Sequence, residues 1–155
     1  MKIRSVKVNN RKKVFEVKTY SKIYSFPYAK ADPVPTSDDP IAEVVVDKEL
    51  GREGFLYTLE SGEEGTIHIE QVLEYNQDPR YLRDLLLYRL TIVAQEKVEQ
   101  SDLSKREIIR RLRTSAPQLY RLLDQTNYRK SVDQMLNLLH ILDCDVDLIV
   151  RAKSA

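Results

Sequence analysis

The first half of the chain alternates between short apolar runs and turn-forming residues. Five of the runs are rich in β-branched and aromatic side chains, which favour extended structure. The proline-rich residues 32–40 and the glycine-containing residues 61–65 interrupt them, as surface loops and hairpin turns do. Residues 1–75 are therefore predicted to form an antiparallel sheet of about five or six strands. The predicted strands are Val14–Lys18, Ile23–Phe26, Val44–Val46, Phe55–Leu59 and Thr66–Ile69.

The spacing of the apolar positions becomes helical from residue 78 onward. Asp78 is suited to cap a helix, and Pro79 suits its first position, where a missing N–H costs nothing. The pattern predicts a helix that continues to about Glu99. Its apolar face is wide, which favours burial against the domain core alone or against the core and a second subunit. The residues assigned to this face are Tyr81, Leu82, Leu85, Leu86, Leu90, Val93 and Val98.

Three more helix starts are predicted between residues 103 and 150. Each is a serine followed three residues later by Glu or Gln, the capping box in which side chains and backbone N–H groups satisfy one another. The first two serines are 11 residues apart, which is helix-turn-helix spacing. The boxes are Ser104 with Glu107, Ser115 with Gln118, and Ser131 with Gln134.

These patterns together predict an α+β protein. An N-terminal antiparallel β-sheet domain is expected over residues 1–77, followed by a long connecting helix over residues 78–100. A C-terminal helix-turn-helix bundle with a closing strand is expected over residues 101–155.

The C-terminal third resembles the Xre-type helix-turn-helix transcription regulators, and is most similar to their small antitoxin-like members. The resemblance implies sequence-specific binding to duplex DNA, with an antitoxin that represses its own operon as one form of that role. The residues that carry it are Leu103–Ile108, Arg111–Ser115, Leu119–Leu122, the leucines 136, 138, 139 and 142, and Asp145–Val150 as the closing strand.

Three positions depart from the family pattern. Arg113 stands where the family usually has Gly, and a bulky residue with positive φ is strained, so a differently built turn is expected. Ala116 and Pro117 replace the usual Gln at the start of the recognition helix. Asp143 replaces a Gly after the third helix, and Asp tolerates the left-handed conformation better than most residues.

Charge is distributed in blocks although the net charge of the 155 residues is only +1. Residues 1–30 carry nine Lys or Arg and one Glu, residues 31–75 carry two basic and twelve acidic residues, and residues 105–130 carry eight basic and two acidic residues. The last block coincides with the predicted helix-turn-helix and is the charge pattern expected of a phosphate-binding surface.

The sequence offers little for catalysis or for metal and cofactor binding. His68 and His140 lie 72 residues apart, Cys144 is the single cysteine, and the four glycines form no phosphate-binding motif. No enzymatic activity, cofactor or metal site is expected. The start of the chain lacks the apolar segment of a signal peptide and no run of 18 apolar residues occurs, so a cytoplasmic protein without a membrane span is expected.

The predicted recognition helix supplies candidate contacts to DNA bases. Its apolar residues Leu119, Leu122 and Leu123 should face the core. Gln118 suits adenine and Arg121 suits guanine in the major groove. The outward-facing candidates are Ala116, Pro117, Gln118, Tyr120 and Arg121, and the candidate phosphate contacts are Lys105, Arg113, Thr114, Ser115, Arg129 and Lys130.

Two interpretations of the partner remain open at this stage. In the first, a homodimer binds two half-sites on duplex DNA, with the long helix or the closing strand as the dimer contact. In the second, the domain does not bind DNA, and the acidic residues 31–75 neutralise a basic partner such as a toxin.

Overall fold

The computed structural model describes residues 1–152 and has an α+β fold. The described residues form two three-stranded antiparallel sheets and five α-helices. The strands are β1 (Ile3–Asn9), β2 (Val14–Thr19), β3 (Ile23–Pro27), β4 (Ile41–Val46), β5 (Gly54–Leu59) and β6 (Glu64–His68). The helices are α1 (Ile69–Tyr75), α2 (Pro79–Gln100), α3 (Lys105–Leu112), α4 (Ala116–Leu122) and α5 (Val132–Ile141).

The chain divides into two compact units, and each is described separately. The first unit is Met1–Leu82, and the second begins at Arg83, inside α2. No helix among residues 1–152 is both long enough and apolar enough to span a lipid bilayer.

The first unit contains two sheets rather than the single five- or six-stranded sheet that the pattern predicted. Strands β1, β2 and β3 form one meander, and β4, β5 and β6 form the other. Phe15 of the first sheet contacts Phe55 and Tyr57 of the second, with ring centroids 5.1 and 5.2 Å apart. The alternating pattern specifies one buried face for each strand, and that requirement is met equally well by two facing sheets.

Two elements of the first unit were not predicted. The strand β1 was missed because basic and polar residues separate its few apolar ones. The helix α1 was missed because Ile69 looked like the end of a strand. In the structure β6 ends at His68, whose Nδ1 accepts a hydrogen bond from the backbone N–H of Glu70 at 3.2 Å and so caps α1.

The long helix α2 begins as predicted, and five of the seven residues assigned to its apolar face are partly buried, but the fully buried positions are others. Asp78 caps it by accepting hydrogen bonds from the next backbone N–H groups. The buried positions are Leu87, Thr91 and Ala94, whereas Leu86 and Val93 are exposed. Thr91 is tolerated in the core because its hydroxyl donates to the carbonyl of Leu87 at 2.6 Å. The pattern missed Thr91 and Ala94 because these small residues were not counted as apolar.

The three predicted helix starts after residue 103 are confirmed. The hydroxyl oxygens of Ser104, Ser115 and Ser131 accept hydrogen bonds from the backbone N–H groups three residues later, at 3.1, 3.4 and 3.1 Å. Only Ser131 has the complete capping box, with Gln134 bonded back to its N–H at 2.9 Å. The helices enclose a second apolar core formed by Leu87, Ala94, Ile108, Leu119, Leu122, Met135, Leu138 and Leu139.

The predicted closing strand is not formed. The backbone from Cys144 to Ala152 adopts neither helix nor strand, and Leu148, Ile149 and Val150 are largely exposed. A strand needs a hydrogen-bonding partner, and residues 1–152 offer none at this point of the fold. Asp143 takes the left-handed conformation with φ 58°, as expected for the residue that replaces glycine after α5.

Candidate nucleic-acid interface

The connection between α3 and α4 is a tight turn built on a left-handed residue. Arg113 has φ 54° and ψ 47°, and its N–H bonds to the carbonyl of Arg110 at 3.1 Å. The next N–H, of Thr114, bonds to the carbonyl of Ile109 at 3.2 Å. This is the geometry that glycine normally supplies at a helix end. The expectation of a differently built turn was wrong, and the arginine instead carries a strain of about 1–2 kcal/mol.

The helix α4 presents one apolar and one polar face, as predicted. Leu119 and Leu122 are buried in the second core, and Leu123 is partly buried. Four of the candidate base contacts are exposed, and Ala116 is half-buried. The exposed residues are Pro117, Gln118, Tyr120 and Arg121.

The guanidinium of Arg121 is not held by its neighbours. Asp124, the nearest carboxylate along the helix, accepts hydrogen bonds from the N–H and hydroxyl of Thr126 at 2.9 and 2.7 Å. These bonds from Thr126 lower the pKa of the Asp124 carboxyl, which favours the ionised acceptor. Among residues 1–152 the Arg121 side chain makes no ion pair or hydrogen bond, so it is available to a ligand.

Gln118 is free to make contacts with a ligand as well. Its backbone N–H binds Ser115, but the return bond from its side chain to the serine N–H is not formed. The Gln118 side chain is therefore not engaged in capping α4 and is available to a base edge.

Lys105 and Tyr120 connect the start of α3 to the exposed face of α4. The ammonium of Lys105 lies 5.6 Å from the centroid of the Tyr120 ring, within the range of a cation–π contact. Tyr120 is more than half exposed, and Lys105 is also at the surface. The pair places a positive charge beside the outward side chains of α4.

Lys130 is not a surface contact, contrary to the prediction. It is only 4% exposed, and its ammonium donates to the carbonyls of Leu122 and Asp124 at 2.8 and 2.9 Å. These carbonyls belong to the end of α4 and the residues after it, which lack helical partners. Burial lowers the pKa of the Lys130 ammonium. The residue therefore stabilises the end of α4 and is not available to a phosphate.

Glu107 neutralises part of the basic block. Its carboxylate accepts hydrogen bonds from Nε of Arg110 at 2.9 Å and from Nε of Arg111 at 3.1 Å. The hydrogen bonds from Arg110 and Arg111 lower the pKa of Glu107 to about 2. Both arginines point their charge at this carboxylate, in agreement with their omission from the phosphate contacts.

The other predicted phosphate contacts remain at or near the surface. Arg113, Ser115 and Arg129 are exposed, and Thr114 is half-buried. The Ser115 oxygen caps α4 as an acceptor, and its hydroxyl proton can still be donated to an anion. With Arg110, Arg111 and Lys130 set aside, five of the eight basic residues between 105 and 130 are exposed and unpaired by a carboxylate among the described residues. These are Lys105, Arg106, Arg113, Arg121 and Arg129.

A cleft of about 550 Å³ adjoins the polar face of α4. Gln118 and Arg121 line it from the helix, and Asn127 and Arg129 line it from the following loop. The cleft walls combine amide and guanidinium groups with the carboxylate of Asp124, and the amide and guanidinium groups suit the donors and acceptors of a base edge.

Two side chains of α2 bind backbone carbonyls at the end of α4 and in the loop after it, and they hold this loop in place. The side-chain amide of Gln95 donates to the carbonyl of Leu123 at 2.7 Å, and the Arg83 guanidinium donates to the carbonyl of Tyr128 at 2.8 Å. Sequence reasoning missed both residues. No local pattern marks them, because their partners are main-chain atoms about 28 and 45 residues away.

The histidines and the cysteine that were considered for catalysis or metal binding do not form such a site among the described residues. His68 caps α1, His140 is exposed on α5, and Cys144 lies near the carbonyl of Leu142. Within residues 1–152 no group of three or more His, Cys, Asp or Glu residues is placed to hold a metal ion. Comparison of the chain with protein-family models, curated proteins and solved structures found no match.

Proposed function

We propose that residues 103–150 bind duplex DNA in a sequence-specific manner and that the protein is a transcription regulator. The observation that carries the proposal is the outward face of α4, where Gln118 and the unpaired Arg121 are exposed, with Lys105 beside Tyr120 and Arg113 on the turn before the helix. In this arrangement α4 enters the major groove and α3 crosses the backbone.

The proposed contacts divide into two classes. Arg121 and Gln118 read base edges, because bidentate donors and acceptors of this kind match guanine and adenine. Ala116, Pro117 and Tyr120 complete the surface that faces the groove. Lys105, Arg113 and Arg129 neutralise phosphates and position the helix, with Thr114 and Ser115 as neutral donors.

A gel-shift titration with genomic fragments tests the proposal. Three cationic phosphate contacts per subunit give an affinity that falls steeply between 50 and 200 mM salt, with a logarithmic slope of about −3 per subunit. Arg113→Ala should reduce that slope by about one. Arg110→Ala is the matched control, since it removes the same charge from a residue already paired with Glu107.

A second role follows if the gel shift fails. The acidic residues 31–75 carry twelve carboxylates and two basic groups, and such a surface suits a basic protein partner such as a toxin. A regulator of the antitoxin type would combine both roles and repress its own operon. Absence of binding to any genomic fragment at 50 mM salt would reject the DNA-binding proposal and leave the partner-binding one.

A homodimer is part of the proposal, because one short recognition helix makes few contacts. Two copies related by a two-fold axis would read half-sites about 34 Å apart. The exposed Leu86 and Val93 of α2 and the segment after α5 are the two surfaces that the sequence suggested for this contact.

A further inference from the structure

The segment after α5 exposes an unusual amount of apolar surface. Leu148, Ile149 and Val150 are 82, 72 and 84% exposed, and Val146 is 49% exposed. Four large apolar side chains in five residues are rarely left in water by a folded chain. Their β-branched character favours extended structure, yet no strand of residues 1–152 pairs with them.

The sequence of this segment is complementary to itself in one antiparallel register. In an extended chain Val146, Leu148 and Val150 share one face, and Asp147, Ile149 and Arg151 share the other. If two copies pair about a two-fold axis at Ile149, Asp147 stands opposite the partner's Arg151. Leu148 then stands opposite the partner's Val150, so one face of the pair is apolar throughout.

Two alternative registers lack this complementarity. A two-fold axis at Leu148 places Asp147 opposite the partner's Ile149, and an axis at Asp147 places two carboxylates against each other. Like charges directly opposite in an antiparallel pair are destabilising, and opposite charges are stabilising. A two-fold contact also requires that residue i meet residue j while j meets i, a condition that this register satisfies.

We propose that Val146–Ala152 forms an antiparallel strand pair with the same segment of a second copy of this chain, centred on Ile149. The pairing supplies the backbone partner that the segment lacks and covers its apolar side chains. It provides the dimer that the proposed DNA-binding function requires. Since it is measured without DNA, either proposal can fail while the other stands.

Charge exchange between two chains tests the pairing directly. In D147R the two positions that face each other, 147 and 151, are both positive, and in R151D they are both negative, so each variant alone should dimerise about tenfold more weakly than the native chain. An equimolar mixture of the two variants should form heterodimers with native-like affinity. Sedimentation equilibrium of the full chains at one to one hundred micromolar measures all three states, and circular dichroism confirms that each variant is folded.

Disulfide trapping tests the register. Residues facing each other in an antiparallel pair have Cα atoms about 4.5–5.5 Å apart, within reach of a disulfide. In a Cys144→Ser background, Ile149→Cys should cross-link two chains on mild oxidation. Leu148→Cys is the matched control and should cross-link poorly, because it faces the partner's Val150.

Three outcomes would overturn the inference. A native chain that is monomeric at one hundred micromolar has no such pair. Dimers that persist equally in D147R, R151D and L148D are formed by another surface, such as the exposed side of α2. Efficient cross-linking of Leu148→Cys but not of Ile149→Cys would reject the proposed register.

Discussion

Helix α4 and the loop that follows it contain similar basic side chains with opposite roles. Arg121 on α4 is exposed and unpaired, whereas Lys130 at the end of the loop is buried and bonded to two main-chain carbonyls. Both contribute equally to the positive charge of the sequence. A block of basic residues therefore predicts a phosphate-binding surface only once the buried cations that bind the protein's own carbonyls have been excluded.

The largest effect is expected from removing the buried cation. Lys130→Ala leaves the buried carbonyl of Leu122 and the part-buried carbonyl of Asp124 without this partner, and a buried unsatisfied group costs about 1–3 kcal/mol. The free energy of unfolding should fall by about 3 kcal/mol, measured by thermal or urea denaturation. Arg129→Ala is the control at the neighbouring exposed position, with a change within about 0.5 kcal/mol. Equal losses in the two variants would contradict the assigned difference.

Arg121→Ala should weaken DNA binding and leave stability nearly unchanged. Stability should change by less than about 0.5 kcal/mol, because the side chain contacts nothing that it supports. Specific affinity for DNA should fall by about tenfold to a hundredfold, since a bidentate contact to guanine contributes about 1–3 kcal/mol of discrimination. Competition with non-specific DNA separates the two components. A parallel loss of both would make Arg121 a phosphate contact and leave Gln118 as the leading base reader.

The turn between α3 and α4 offers a smaller test of whether a basic residue affects stability, DNA binding or both. Arg113→Gly removes the left-handed strain and should raise the free energy of unfolding by up to about 1 kcal/mol, after the entropy cost of glycine. It also removes one proposed phosphate contact. Arg113→Asn, which tolerates positive φ, should likewise lose the contact but with a smaller gain in stability. Destabilisation by glycine would show that the arginine side chain supports the turn.

The smallest expected effect concerns pH. The pKa of Glu107 is lowered from 4.5 to about 2 by hydrogen bonds from Arg110 and then Arg111. Because the folded-state pKa is depressed, the stabilisation is complete above about pH 4.5 and is lost as the pH falls towards 2. Denaturation curves of the native chain and Glu107→Gln should converge across this window. Curves that stay parallel would show that the ion pairs contribute nothing to stability.

The sequence predicted features that depend on a few adjacent residues. The serine caps at Ser104, Ser115 and Ser131 were found because a hydroxyl and an N–H three residues later define them completely. The inward and outward faces of α4 were likewise found from local spacing. Both kinds of signal are independent of what lies elsewhere in the chain.

The sequence analysis missed residues whose roles depend on hydrogen-bond partners that no local pattern reveals. Lys130 looks like any surface lysine until the carbonyls around it are seen, and Thr91 does not look like a core residue until its hydroxyl is seen to bond within α2. The closing strand was predicted from the family resemblance of Asp145–Val150, and a resemblance of sequence does not establish that a neighbouring strand exists to pair with it.

The contacts that hold the loop after α4 have a consequence for how this surface could diversify. Gln95, Arg83 and Lys130 all bind carbonyl oxygens of the loop and of the end of α4, and to these bonds Gln95 adds only a longer contact of 3.4 Å to the side chain of Gln125. Main-chain oxygens are present whatever residues occupy the loop. Substitutions at exposed loop positions such as Arg129 can therefore accumulate without loosening the support beneath them. The surface can change what it recognises while the scaffold that positions it stays the same.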